Sequence, residues 1–292
     1  PAAGSGAAQP PSAAMPPAQT TPPVPADASD WKPLIEGAWE LPPGEEGYFC
    51  ARLTAKEDIY IKEFQPIAPA GTHHTLLSIY ETPAGPDGTK PCTAGDNGHT
   101  TLLGSGVGEK YSAGPLPEGV AYKIVKGWQL NMNLHLFNVQ DTPLKGVSGT
   151  KIRTTTVDKV KQTAEVILAG PIQLAIPTGK STSSGKCTIK SDTTVFAVSP
   201  HMHQLGSHLK AVLTGTGREP VTLYDGPYDF EEQRQFPANQ LVLKKGDVVS
   251  IDCTYQNDTG KMVAFGESSL DEMCFLGMYR YPVAGEGLIC LR

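Results

Sequence analysis

The 292-residue sequence lacks any apolar run approaching the roughly 18 to 20 residues that a membrane-crossing helix needs. It has no Cys-x-x-Cys pair, which disfavours a thiolate zinc cage or a thioredoxin-type redox site. His-Glu-x-x-His, Gly-x-Ser-x-Gly and a Gly-rich phosphate loop ending in Lys-Ser/Thr are all missing. Zinc-dependent hydrolysis, serine hydrolysis and nucleotide chemistry are therefore unsupported. Charge is sparse, at 18% of residues with a formal net charge of -6. Nucleic acid and anionic membranes need a clustered basic face, so neither is expected as a partner.

Lys and Arg are absent from residues 1–30, which are mostly Pro, Ala, Ser, Thr and Gly and offer no apolar periodicity. This segment reads as a disordered, partly polyproline-like tether. The chain begins at Pro1 rather than Met, which suggests a processed or trimmed N-terminus. A tether of this kind behind a removed signal would suit attachment to a surface. The six cysteines, Cys50, Cys92, Cys187, Cys253, Cys274 and Cys290, are even in number and widely spaced. They fit three disulfides and hence an extracytoplasmic location (secreted, periplasmic or cell-surface), the alternative being buried thiols in a cytosolic protein.

What is abundant is Gly (31) and Pro (26), a composition suited to short strands joined by many turns. Strand-like segments run over 58–64, 75–80, 128–137, 164–169, 193–198, 209–214 and 248–255. Between them lie turn signals such as Pro86-Asp-Gly, Pro117-Glu-Gly and Lys245-Gly-Asp. The spacing predicts an all-β protein: two consecutive antiparallel, jelly-roll-like β-sandwiches over 31–155 and 156–292, behind the tether. A single β domain with a long tail is the alternative.

Four of the seven histidines form two tight groups, His73-His74 and His201-Met202-His203. His135 lies in an apolar run, while His99 and His208 stand beside turn residues. Strand side chains alternate between faces, so His201 and His203 project together and could grip one ion. His73 and His74 would diverge on a regular strand; either one faces solvent, or the strand bulges, which Gly71 would permit. Imidazoles suit copper, zinc, nickel or iron, and a thioether would point to copper that visits Cu(I). Met273 is either that thioether or core packing.

Six segments in order carry a resemblance: His73-His74-Thr-Leu-Leu; Leu116-Pro-Glu-Gly-Val with Leu130-Asn-Met-Asn-Leu-His135; Ala175-Ile-Pro-Thr-Gly; Pro200-His-Met-His-Gln-Leu-Gly206; Cys253-Thr-Tyr; and Asp271-Glu-Met-Cys274. From about Trp31 onward the chain resembles the copper type II, ascorbate-dependent monooxygenases, the family of peptidylglycine α-hydroxylating monooxygenase and dopamine β-hydroxylase. The resemblance implies two coppers: an electron-storing one on His73, His74 and His135, and an oxygen-binding one on His201, His203 and Met273. The two would face each other across an open cleft. It also implies ascorbate or a similar one-electron reductant, O2 as co-substrate, and hydroxylation of a C–H bond in a small or peptide-like substrate. Disulfides similar to the family's would be Cys50–Cys92, Cys187–Cys290 and Cys253–Cys274.

The chain departs from the peptidylglycine enzyme where that enzyme grips a substrate carboxylate. Its Arg, Asn and Tyr fall at Ser199, Phe275 and Gly277, and a Gln two places before the third histidine becomes Asn133. Glycine-extended peptides are therefore expected to be poor substrates, and Phe275, Tyr279 and Tyr281 suggest an apolar wall instead. Three alternatives remain on the sequence: a non-catalytic copper-binding or storage protein, a blue-copper carrier (which would need a cysteine ligand), and a structural sandwich with incidental histidines.

Overall fold

A computed structural model describes residues 30–98, 101–106, 115–230, 233–285 and 288–290. The expected tether, except Asp30, lies outside the described residues, as does His99. Trp31–Arg292 is one compact unit. The described residues are all-β, with a single 3₁₀ turn at Val157–Lys159 and no α-helix.

All seven strand-like segments are strands, and the longest runs of alternation explain themselves. In Val248–Asn257 every second residue, Val249, Ile251, Cys253 and Tyr255, is buried. Gln129–Phe137, the central strand of a five-stranded sheet between Glu46–Thr54 and Thr72–Tyr80, is buried on both faces. Leu130, Met132, Leu134 and Leu136 enter the hydrophobic core from one face. Gln129, Asn131, Asn133 and His135 occupy the other, where the loop 92–98 covers Asn131 and Asn133 and the segment 84–87 covers Gln129. There Asn131 Nδ2 donates to the Asp96 carbonyl (2.8 Å) and Asn133 Nδ2 to the Thr93 carbonyl (2.9 Å). Buried polar groups persist when paired in this way, and the row delivers His135 to the end of the sheet.

A second sheet of the N-terminal half runs Lys32–Leu41, Leu144–Thr154, Ile59–Ile67, Val120–Ile124 and Gln162–Thr163. Its last strand pairs in parallel with Val120–Ala121, so the chain leaves this sheet only after Thr163. The C-terminal half holds a five-stranded sheet in the order Phe236–Leu243, Thr193–His201, Phe275–Tyr281, Glu165–Ala169 and Ile289–Cys290. It also holds a four-stranded sheet of Gly179–Thr188, Val248–Asn257, Gly206–Gly215 and Arg218–Pro227, and a short pair of strands, Ala175–Ile176 with Val263–Ala264.

The described residues form two hydrophobic cores, one per half, but the first also takes in Ala164, Val166, Ala197 and Tyr279. The halves thus share a buried seam. Beside it, fully buried Arg280 forms an ion pair with Glu165 (2.6 Å), tying Phe275–Tyr281 to Glu165–Ala169. The three disulfides join the cysteines in the pairs that the family resemblance implies.

Candidate metal centres and the cavity between them

At His73-His74 the strand bulges. In Thr72–Tyr80, Thr72 faces Leu136 and His74 faces His135, which leaves His73 as the extra residue. Gly71 takes φ +92 just before the bulge, and a Cβ there would lie 2.6 Å from Leu144 Cδ2 and 2.9 Å from the Trp39 ring, so only glycine fits. The bulge turns both imidazoles to one side, with their Nδ1 atoms 3.0 Å apart. The His135 ring closes the group, its centroid 5.1 Å from that of His73 and 4.8 Å from that of His74. Nitrogens of all three residues lie within 4.8 Å of one another.

His135 is fixed from behind. Its Nε2 is 2.6 Å from Glu46 Oε1, and the Tyr48 ring stacks on it at 4.2 Å with planes 6° apart. Glu46 and Tyr48 are two apart on one strand and so share a face. With Nε2 held by the carboxylate, His135 Nδ1 is left buried with no hydrogen-bond partner. A buried nitrogen lone pair beside two other imidazole nitrogens is what a three-imidazole metal site requires.

The second group is built at a strand end. Thr193–His201 stops at His201; Met202 turns into the core while the His201 and His203 rings stand 5.3 Å apart at 88°. His201 donates Nδ1–H to Gln233 Oε1 (2.9 Å), and His203 donates Nδ1–H to the Asp271 carbonyl (3.0 Å). Those bonds fix the tautomers and leave Nε2 as the lone-pair nitrogen of each ring.

Fully buried Glu272 holds the backbone here, accepting from the N–H groups of His203 (2.9 Å), Leu205 (2.6 Å) and Met273 (3.2 Å). Its carboxylate thereby staples the His-x-His turn to the segment that carries Met273. Burial raises its pKa to about 7 against the lowering effect of those three bonds. The Cys253–Cys274 disulfide anchors the same segment.

His74, His201, His203 and Met273 line one cavity of about 380 Å³. The two groups are thus brought to a shared space, and Phe230 spans them, its ring 5.0 Å from that of His73 and 6.3 Å from that of His203. Burial lowers the pKa of His74 well below the usual imidazole value, with added repulsion from the other four histidines. Burial likewise lowers His135 and His203, and brings His201 down to about 4. All four are neutral at pH 7, the form that binds metal. A donor set of neutral imidazoles with a neighbouring thioether fits copper and not magnesium or calcium, which take oxygen ligands.

The remaining sequence candidates divide. His208 sits away from the cavity, paired with Asp225 (3.1 Å). Phe275 and Tyr279 line the cavity; Tyr281 does not, its hydroxyl bonding Gln240 Oε1 (2.8 Å). Ser199, Phe275 and Gly277, the places of the peptide clamp, are all on the cavity wall. Sequence reasoning missed Glu46, Tyr48, Phe230 and Gln233. Glu272 could have been found, since it sits inside the Asp271-Glu-Met-Cys274 segment.

Residues 162–290 match the copper type II ascorbate-dependent monooxygenase C-terminal domain. The chain is also similar to human DBH-like monooxygenase protein 2, at 26% identity over 274 residues, which covers 83% of this chain and 54% of the relative. The mouse DBH-like monooxygenase protein 2 is 26% identical over 230 residues, covering 63% of this chain and 36% of the relative. By these matches the chain is similar to copper type II ascorbate-dependent monooxygenases, most directly over residues 162–290. It spans about half or less of the length of those curated relatives.

Proposed function

We propose that the protein is a copper- and O2-dependent monooxygenase that hydroxylates a C–H bond of a small or peptide-like substrate. Two β-sandwich domains, 31–155 and 156–292, each hold one copper: an electron-storing site on His73, His74 and His135, and an oxygen-binding site on His201, His203 and Met273. In the balanced reaction R–H, O2, two electrons and two protons give R–OH and water. Two molecules of a one-electron donor such as ascorbate supply the electrons, each leaving as its radical. The three disulfides suit an extracytoplasmic setting, and residues 1–30 would serve there as a surface tether. No helix among the described residues is long and apolar enough to cross a membrane.

One observation carries this reading: side chains of both candidate metal groups line a single cavity. Bound copper would supply one-electron redox chemistry and O2 activation. The chain's own residues prepare for it. Glu46 and Tyr48 fix the His135 ring; Gln233 and the Asp271 carbonyl hold the Nδ1 protons of His201 and His203, so that their Nε2 lone pairs are available. Glu272 ties the backbone of His203 and Leu205 to that of Met273. The apolar wall of Leu168, Phe275 and Tyr279 limits water around a bound substrate.

The test is copper stoichiometry after loading and desalting, combined with ascorbate-driven O2 uptake in a substrate screen. Two coppers per chain, one of them lost in His135→Ala, with substrate-dependent uptake, is the expected result. Two coppers with no substrate-dependent uptake would assign the protein to copper storage. A single copper indifferent to His135→Ala would remove the two-site model.

A further inference from the structure

Hydrogen-bond register in the C-terminal five-stranded sheet sets the cavity floor in three rungs. His201 is opposite Phe275; Ser199 and Leu168 flank Gly277 on either side; Val166 is opposite Tyr279. All seven residues line the cavity. Alternate residues on one strand face are roughly 7 Å apart, so the Gly277 rung lies one such step from His201.

Backbone conformation does not demand glycine at 277. It lies within a strand and is not among the glycines with positive φ. A Cβ there would meet Ser199 Cβ at 3.6 Å and Leu168 Cδ2 at 3.8 Å, which is ordinary contact, and Ser199 O at 3.3 Å, a tight approach that a shift of a few tenths of an ångström relieves. Glycine in a strand interior weakens the strand and often marks a close approach by a ligand or another backbone. Here the space above Gly277 opens into the cavity.

The chemistry of the walls is one-sided. Among the described residues lining the cavity there is no Lys or Arg, and the single acidic group is Glu267. Away from the candidate metal ligands, an anion would meet a carboxylate and neither Lys nor Arg. Glu267 is already engaged within the protein, so it is not a free counterion for an ammonium group. A volume of about 380 Å³ lies at the small end of ligand sites, which run from roughly 300 to 1,000 Å³.

We propose that Gly277 opens a substrate slot in the sheet floor beside His201, and that this slot takes a compact, uncharged, mostly apolar molecule lying between Phe275, Leu168 and Tyr279. The proposal rests on the copper monooxygenase reading for what happens to that molecule, but the slot itself is a property of the sheet. Gly277 is a specificity-determining residue: any side chain there shortens the slot.

The test uses the full chain loaded with Cu(II) and given no reductant, so that binding is read without turnover, with the metal-free chain titrated alongside so that an anion or amine held by copper is told from one held by the slot. Indole and cyclohexanol serve as uncharged probes, phenylacetate as the anion and phenethylamine as the cation, each titrated calorimetrically, with copper content measured on every sample. At least one uncharged probe should bind, with phenylacetate at least tenfold weaker. Gly277→Ala should weaken the uncharged probe severalfold and Gly277→Leu at least tenfold, with copper content unchanged in both. Gly277→Ala keeps the test decisive should Gly277→Leu fold poorly. Three results overturn the slot: no binding of either uncharged probe, phenylacetate or phenethylamine binding tenfold tighter than both, or Gly277→Ala and a folded Gly277→Leu binding as the unaltered chain does. Loss of copper with probe binding intact would instead remove the monooxygenase reading and leave the slot standing.

Discussion

The two histidine groups present opposite ring nitrogens and are held by opposite means. In the N-terminal group the buried, unpartnered nitrogen of His135 is Nδ1, and a carboxylate, Glu46, grips the back of the ring. In the C-terminal group Nδ1 is the gripped nitrogen, held by neutral acceptors, and the carboxylate, Glu272, touches only backbone. An anion behind an imidazole makes it a stronger donor and favours the more highly charged metal. A thioether with neutrally held imidazoles favours the softer Cu(I). Under the proposed function, this difference would suit one site to holding an electron reversibly and the other to meeting O2 in the reduced state.

The sharpest way to break that contrast is to make the second group resemble the first. Met273→His should still bind Cu(II), yet lower hydroxylation by on the order of 100-fold or more, equivalent to about 2.7 kcal/mol of transition-state stabilisation. Met273→Leu, which nearly conserves volume, should cost roughly 1.5 kcal/mol or less in stability while losing the copper–sulfur scatterer in X-ray absorption of the reduced protein. If Met273→Leu keeps that scatterer and normal product formation, Met273 is core packing and the asymmetry is gone.

Next in size is the stapling carboxylate. Glu272→Ala would strand three buried N–H donors, at about 1 kcal/mol or more each. Denaturant unfolding of the copper-free protein should therefore show a loss of about 3 kcal/mol or more, with Glu272→Gln recovering part because one acceptor oxygen remains. Glu46→Gln, at the half-exposed carboxylate of the other group, should move stability by no more than about 0.5 kcal/mol. Equal losses at the two positions would mean that the carboxylates do the same job.

How legible each group was in the sequence follows from how local its causes are. The His73-His74 bulge could be anticipated because its enabling residue, Gly71, is two positions away. The strand bearing His135 was readable because its apolar residues alternate with Gln129, Asn131 and Asn133. Gly179–Thr188 was not: its sequence is nearly all polar, only Cys187 within it is buried, and it is a strand because Val248–Asn257 pairs with it residue by residue. The groups behind the imidazoles were equally out of reach, since Glu46 is 89 positions from His135 and Gln233 is 32 from His201. Tertiary pairing, which no local pattern encodes, brought them there.

A pH measurement sharpens the comparison on the C-terminal side. His201 is held down to about 4 when folded, against about 6.5 in an unfolded chain. As pH falls the unfolded chain takes up this proton first. The contribution of His201 to stability is thus complete above about 6.5 and is lost progressively between 6.5 and 4. Between pH 7 and pH 5 that amounts to about 2 kcal/mol. Glu272, raised to about 7, works in the opposite direction: its contribution is present at low pH and is lost as pH rises through 7. The useful quantity is therefore a difference between variants that share Glu272. Copper-free His201→Gln should lose about 2 kcal/mol less than the unaltered chain on moving from pH 7 to pH 5. Identical losses would show that His201 is not buried as a neutral ring.

The smallest expected effect concerns Glu46 itself. Outer carboxylates on metal-bound histidines typically contribute 10- to 100-fold in metal affinity. With its side chain 45% exposed, Glu46 is screened by solvent and belongs at the low end. Glu46→Gln should weaken copper binding at the His73, His74 and His135 site by about tenfold, or about 1.4 kcal/mol. The second copper should be unaffected, since Glu46 is not among the groups that contact His201, His203 or Met273. The amide can still accept a hydrogen bond from Nε2–H, so the ring should stay in place and only its donor strength should fall. That separates tuning from positioning: competitive chelator titration should show one weakened copper of two, and the reduction potential of that copper should rise. A potential left unchanged while affinity falls would make Glu46 a mere prop for the ring, and a change in neither would leave the Tyr48 stack as what holds His135.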